Sequence, residues 1–140
     1  SFYDFVFHGE PRRDWLAIFN AGFQALFEGF GGDPARFATP PDPVSPPLPD
    51  SAYVGTYRND YVGEVRVEAA DGGLQVVIGP DEKVWPLTHW DRDVFTYVSF
   101  VEPPAPLAAA RFTVDDTGQA VELLLENMND LGLGTVARVE

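Results

Sequence analysis

The sequence holds few side chains able to start a reaction. Its serines are Ser1, Ser45, Ser51 and Ser99, and none opens an S-x-x-K or sits inside a G-x-S-x-G run, two settings that place a serine beside its base. Lys83 is the sole lysine, and Val84 follows it where a K-T-G run would have threonine. Tyr57-Arg58-Asn59 spells the Y-x-N triplet of acylating serine hydrolases, but without the matching serine and lysine the spelling carries no catalytic weight. The two histidines, His8 and His89, stand far apart with no cysteine near either, which argues against a zinc site. Asp115-Asp116 falls in a turn pattern, where aspartate is expected for its local hydrogen bonding. No glycine loop precedes a helix in the manner of a phosphate cradle. The expectation is a chain with no catalytic residue, no metal and no cofactor.

What remains is a polar and aromatic constellation, Tyr57, Arg58, Asn59, Asp60 and Tyr61, with His89, Trp90 and Tyr97 on later segments. Side chains of these types at the mouth of a small barrel suit a small apolar ligand. A plainer reading competes: Asn59-Asp60 makes a turn, Arg58 pairs with a carboxylate, His89 is a half-buried strand histidine, and the aromatics fill the interior.

These residues need strands to position them. From Tyr53 to Val67 the chain is β-branched, aromatic and glycine-punctuated, and Val65 and Val67 alternate with Glu64, Arg66 and Glu68 at the period of a half-buried strand. The same reading gives strands at 53–57, 63–70, 74–78, 84–90, 94–101, 109–115, 121–127 and 134–139. Short turn signals such as Asp71-Gly72-Gly73 and Asp91-Arg92-Asp93 separate them. A parallel crossover needs about a dozen residues or more, so the neighbours must be antiparallel. The predicted class is mainly β: an antiparallel up-and-down barrel of about eight strands, with a two-sheet sandwich as the alternative.

Ahead of the strands, Trp15, Leu16, Phe19, Phe23, Leu26, Phe27 and Phe30 recur at helical spacing behind an N-cap candidate, Asp14, and Gly29, Gly31 and Gly32 stop the pattern. Residues 33–51 are dense in proline, which fixes φ and removes donors and so predicts an extended linker. The domain reading is a helical segment over 1–32, a linker over 33–51 and a barrel over 52–140. The opening Ser1-Phe2-Tyr3-Asp4-Phe5 has no basic n-region or cleavage pattern, and the expectation is a cut inside a longer polypeptide. The exposed aromatic helix offers a route to homodimerisation.

The chain of 140 residues carries a formal charge of −13 and a pI near 4.3. Phosphate backbones and anionic lipids are repelled by such a surface, so nucleic acid is not an expected partner. No apolar run reaches the length of a membrane-spanning helix, about 20 residues. Cysteine is absent, which leaves the compartment open between cytoplasmic and extracytoplasmic.

The run Tyr53-Val54-Gly55-Thr56-Tyr57-Arg58-Asn59-Asp60-Tyr61-Val62-Gly63, followed by Asp71-Gly72-Gly73-Leu74, Leu87-Thr88-His89-Trp90-Asp91 and Phe95-Thr96-Tyr97, resembles the domain of unknown function that follows the catalytic domain in many bacterial serine β-lactamase-related (penicillin-binding-protein-like) hydrolases. Arg13-Asp14-Trp15-Leu16-Ala17 is similar to the last helix of that catalytic domain. The resemblance implies a lipocalin-like or streptavidin-like barrel in a parent that cleaves amide or ester bonds through an active-site serine. It carries no catalytic residue onto this chain. The function it implies is an accessory domain partnered with the hydrolase domain of its own polypeptide; a carrier of small apolar ligands and a dimerisation module are the alternatives.

Overall fold

The computed structural model describes residues 34–99 and 107–139, and the expected helix over Trp15–Phe30 lies outside them. Eight antiparallel strands run in chain order around a closed barrel: β1 Gly55–Asn59, β2 Gly63–Ala70, β3 Gly73–Ile78, β4 Lys83–Asp91, β5 Val94–Val98, β6 Leu107–Val114, β7 Ala120–Leu125 and β8 Thr135–Arg138. Closure comes from β8 returning to β1, with Tyr57 opposite Arg138 and Arg58 opposite Ala137. That pairing rules out the sandwich, because closing the sheet on itself removes the two unpaired edges that stacked sheets keep.

Alternation decides what faces inward. Tyr57, Val65, Val67, Val76, Tyr97, Leu123, Leu125 and Val136 are fully buried or nearly so, and they form one cluster with Trp85, Leu87, Phe95 and Phe112. Among the described residues these side chains pack into one core inside the barrel. Tyr53, Phe95 and Phe112 meet edge-on or tilted with centroids 4.8 to 5.7 Å apart, and Trp85 stacks on Tyr97 at 5.2 Å, offset geometries that favour ring pairs.

Several boundaries differ from the sequence reading, each for a local reason. Tyr53 is not in the first strand: the 3-10 turn Asp50–Ala52 draws its N–H to the Asp50 carbonyl, and the ring plugs the barrel beneath. The seventh strand stops at Leu125 because Glu126–Met128 winds into another 3-10 turn. The fifth ends at Val98. The last begins at Thr135, since Gly134 is pressed against Asn129 and the Leu125 carbonyl.

The chain divides into two compact units, 1–33 and 34–140. Within the second, the proline-rich stretch is strapped to the strands. Ser45 N–H donates to Asp91 Oδ1 (2.7 Å), Arg92 N–H to the Ser45 carbonyl (2.9 Å), and Leu48 N–H to the Tyr53 hydroxyl (2.9 Å). At its start the 3-10 turn Pro34–Phe37 sets the Phe37 ring edge-on to Trp90 at 5.2 Å.

Candidate functional site

The expected constellation is distributed over both ends and both faces of the barrel. Asn59 ends β1 and works as a clamp: its Nδ2 donates to the carbonyls of Leu133 (2.9 Å) and Thr135 (2.7 Å), and its Oδ1 accepts from the N–H groups of Tyr61 and Val62. It therefore ties the β1–β2 turn to the β7–β8 connection. Tyr61 points away from that turn and is 58% exposed. Arg58 faces outward in register with Glu64.

His89 and Trp90 lie at the opposite end, beside the β4–β5 turn. His89 is half-buried, edge-on to Phe95 at 5.4 Å, with Nε2 3.2 Å from the Arg92 carbonyl. Trp90, one residue on, faces outward beneath Phe37. Tyr57 and Tyr97 project inward. Tyr57 donates a 2.6 Å bond to the Tyr53 carbonyl, and Tyr97 donates to Asn127 Oδ1. Burial raises the pKa of both phenols, for Tyr57 against the lowering effect of the nearby Arg138 guanidinium, so both serve as neutral donors. Asn59 with Tyr61, and His89 with Trp90, are thus brought together pairwise; the two pairs are separated by the length of the barrel.

Sequence reading missed a different group of contacts, on the outer surface. Arg36 bonds both carboxylate oxygens of Glu126, at 2.6 and 2.5 Å, and Glu126 also accepts from Ala109 N–H at 2.9 Å. Partial burial disfavours the charged form of Glu126, but the guanidinium and the amide outweigh it and hold the pKa below the usual carboxylate value. Partners ninety residues apart leave no signal in a local pattern. A further group, Arg66 with Glu68 (3.0 Å) and Glu82 (2.8 Å), borders a surface cleft of about 350 Å³ lined by Val62, Glu64, Val77 and Pro80 among others. Among the described residues no group of three or more His, Asp or Glu side chains is placed to hold a metal, and no helix is long and apolar enough to cross a membrane.

Residues 39–134 match a family model described as Domain of unknown function (DUF3471). The chain belongs to that family. Among solved structures, this DUF3471 chain is similar to the crystal structure of the C-terminal domain of penicillin binding protein Rv0907, at 35% sequence identity and a TM-score of 0.62, over 71% of this chain and 94% of that one. A search of curated proteins gives no match. The match to DUF3471 spans the Asn59 clamp, the His89–Trp90 pair and both inward tyrosines; it starts just after Arg36 and Phe37.

Proposed function

We propose that the chain serves as a non-catalytic accessory domain in a β-lactamase-related serine hydrolase, packing on the catalytic domain of its parent polypeptide and helping to shape the substrate cleft. The observation that carries this reading is the 35% identity, over 94% of its length, to a domain that stands C-terminal in a penicillin binding protein. Two features of the chain support it. Its barrel is filled with large side chains, which suits a rigid scaffold better than a carrier of small ligands. Its proline-rich stretch is bonded down along the barrel from Arg36 to Leu48, which makes that stretch part of the rigid unit.

The test compares the parent polypeptide with the same polypeptide lacking the barrel, on a chromogenic cephalosporin and a p-nitrophenyl ester. Loss of the barrel is expected to raise KM or lower kcat while the serine still acylates. Identical kinetics and identical thermal stability for the two forms would remove the accessory role.

A further inference from the structure

The surface cleft beside Arg66 is built from β2, β3 and the turns at one end of that pair, the β1–β2 turn contributing Val62 and the β3–β4 turn Gly79 and Pro80. Its volume, about 350 Å³, falls at the small end of ligand sites, which run from about 300 to 1,000 Å³. Its lining includes an outward-facing apolar side chain. Val77 stands opposite Arg66 in the register and apart from the interior cluster, yet it is only 5% exposed. Val62 and Pro80 add further apolar lining. Gly63 and Gly79 hold positive φ, 84° and 74°, and a Cβ on either would meet no atom within 4 Å, so the backbone at both is open to a bound group.

Charge decides what kind of ligand suits this lining. The β2 and β3 strands and the two turns at this end carry five carboxylates, Asp60, Glu64, Glu68, Asp81 and Glu82, against the one guanidinium of Arg66. That guanidinium is already held twice, by Glu68 at 3.0 Å and Glu82 at 2.8 Å. Glu82 reaches it from a left-handed backbone, φ 49°, a conformation uncommon outside glycine. Glu64 lines the cleft and is exposed, and its carboxylate bonds to none of the described residues. Arg58 stands opposite it on β1 without forming an ion pair. An anion entering here meets like charge, whereas a cation finds a carboxylate with no partner beside apolar side chains.

We propose that the cleft binds a small organic cation, a free alkylammonium whose chain lies against Val62, Val77 and Pro80 and whose charge sits at Glu64. Laying an apolar chain along apolar surface while its ammonium stays at the wet rim is how lysine side chains pack. The site is on the outside of the barrel, away from the packed interior, and is independent of the accessory role.

The test titrates n-hexylammonium into the isotope-labelled 140-residue chain at neutral pH and follows the backbone amides by NMR. The signals of Gly63, Glu64, Val77 and Gly79 should shift and saturate together, with a Kd on the order of 1 mM for so small a ligand. Glu64→Gln should weaken binding about threefold, and Glu122→Gln, which removes the same charge on β7, should leave it unchanged. Hexanol should bind more weakly and hexanoate should leave these signals in place. Hexanoate binding as tightly as hexylammonium, equal affinity in Glu64→Gln, or shifts that neither localise nor saturate would each overturn the proposal. A blocked lysine amide binding more tightly than hexylammonium would overturn the assignment to a free amine. All of these outcomes leave the accessory role standing, since that role is read from the kinetics of the parent polypeptide.

Discussion

Arg138 in the last strand donates a 3.1 Å hydrogen bond to the hydroxyl of Tyr57 in the first, directly across the seam that closes the barrel. The same guanidinium bonds the carbonyls of Ala120 (3.0 Å) and Val54 (2.5 Å) and lies over the Tyr57 ring. The β1–β8 seam has two paired positions where β1–β2 has five. The arginine reinforces it, together with the Asn59 bond to the Thr135 carbonyl and the Val139 N–H bond to the Thr56 carbonyl.

Arg138→Met keeps the apolar stem and deletes the donors, leaving half-buried carbonyls unpaired. The expected cost is roughly 2 kcal/mol in denaturant unfolding. Tyr57→Phe should cost about 1 kcal/mol. The double variant should fall short of the sum, because the two share a bond. Full additivity would show that Arg138 acts elsewhere.

The Arg36–Glu126 pair gives the strap a pH dependence. Glu126 has its folded pKa lowered, so its contribution is complete above the ordinary value of 4.5 and is lost as pH falls through the lower folded value. The pair is substantially solvated, so Glu126→Gln should cost only about 0.5 to 1 kcal/mol at neutral pH. Tryptic cleavage after Arg36 should become faster in that variant, and its melting temperature should fall less than wild type between about pH 5 and 3. Unchanged cleavage would contradict the strap.

At the alkaline end Tyr53 joins Tyr57 and Tyr97 as a phenol raised by burial. Burial, offset in part by Leu48 N–H and reinforced by Asp93, pushes its phenol from 10.0 up to about 12. A raised acid pKa stabilises the fold below pH 10.0, and that contribution disappears as pH rises through about 12. Spectrophotometric titration should show three phenols ionising late in wild type, those of Tyr53, Tyr57 and Tyr97, and one fewer in Tyr53→Phe, whose stability should depend less on pH across that window. A full set of phenols titrating near 10 in the folded chain would refute the assignment.

Gly134 is fixed by space alone. A Cβ there would stand 2.6 Å from the Leu125 carbonyl oxygen and 2.7 Å from Asn129 Cβ, in a spot held close by the bonds from Leu125 N–H to the Gly134 carbonyl and from Gly134 N–H to Asn129 Oδ1. Gly134→Ala should therefore destabilise the barrel by about 1 to 3 kcal/mol in thermal or denaturant unfolding. A neutral result would mean that the β7–β8 connection gives way freely.

Strand positions were legible because alternation is local: Val65 and Val67, or Leu123 and Leu125, declare an inward face within a few residues. The short turns gave the antiparallel order, but alternation alone could not tell a closed barrel from a sandwich, which only the pairing of β8 with β1 decides. The Asn59 turn was legible too, from the residue type that accepts two N–H groups at once. Contacts made across the fold were hidden, since nothing near Arg36 or Phe37 points to Glu126 or Trp90. The proline-rich stretch read as a spacer because proline density reports backbone stiffness and not what the stiff segment lies against. His89 and Trp90 were grouped with Asn59 and Tyr61 by composition; the direction of β4 places the pairs at opposite ends.

The accessory role is tested most directly by incubating the 140-residue chain and its parent polypeptide, side by side, with a chromogenic cephalosporin and with a p-nitrophenyl ester. The parent should turn over one of them repeatedly, while the chain alone releases no more chromophore than buffer. Saturable turnover by the chain alone, beyond one equivalent, would contradict the account.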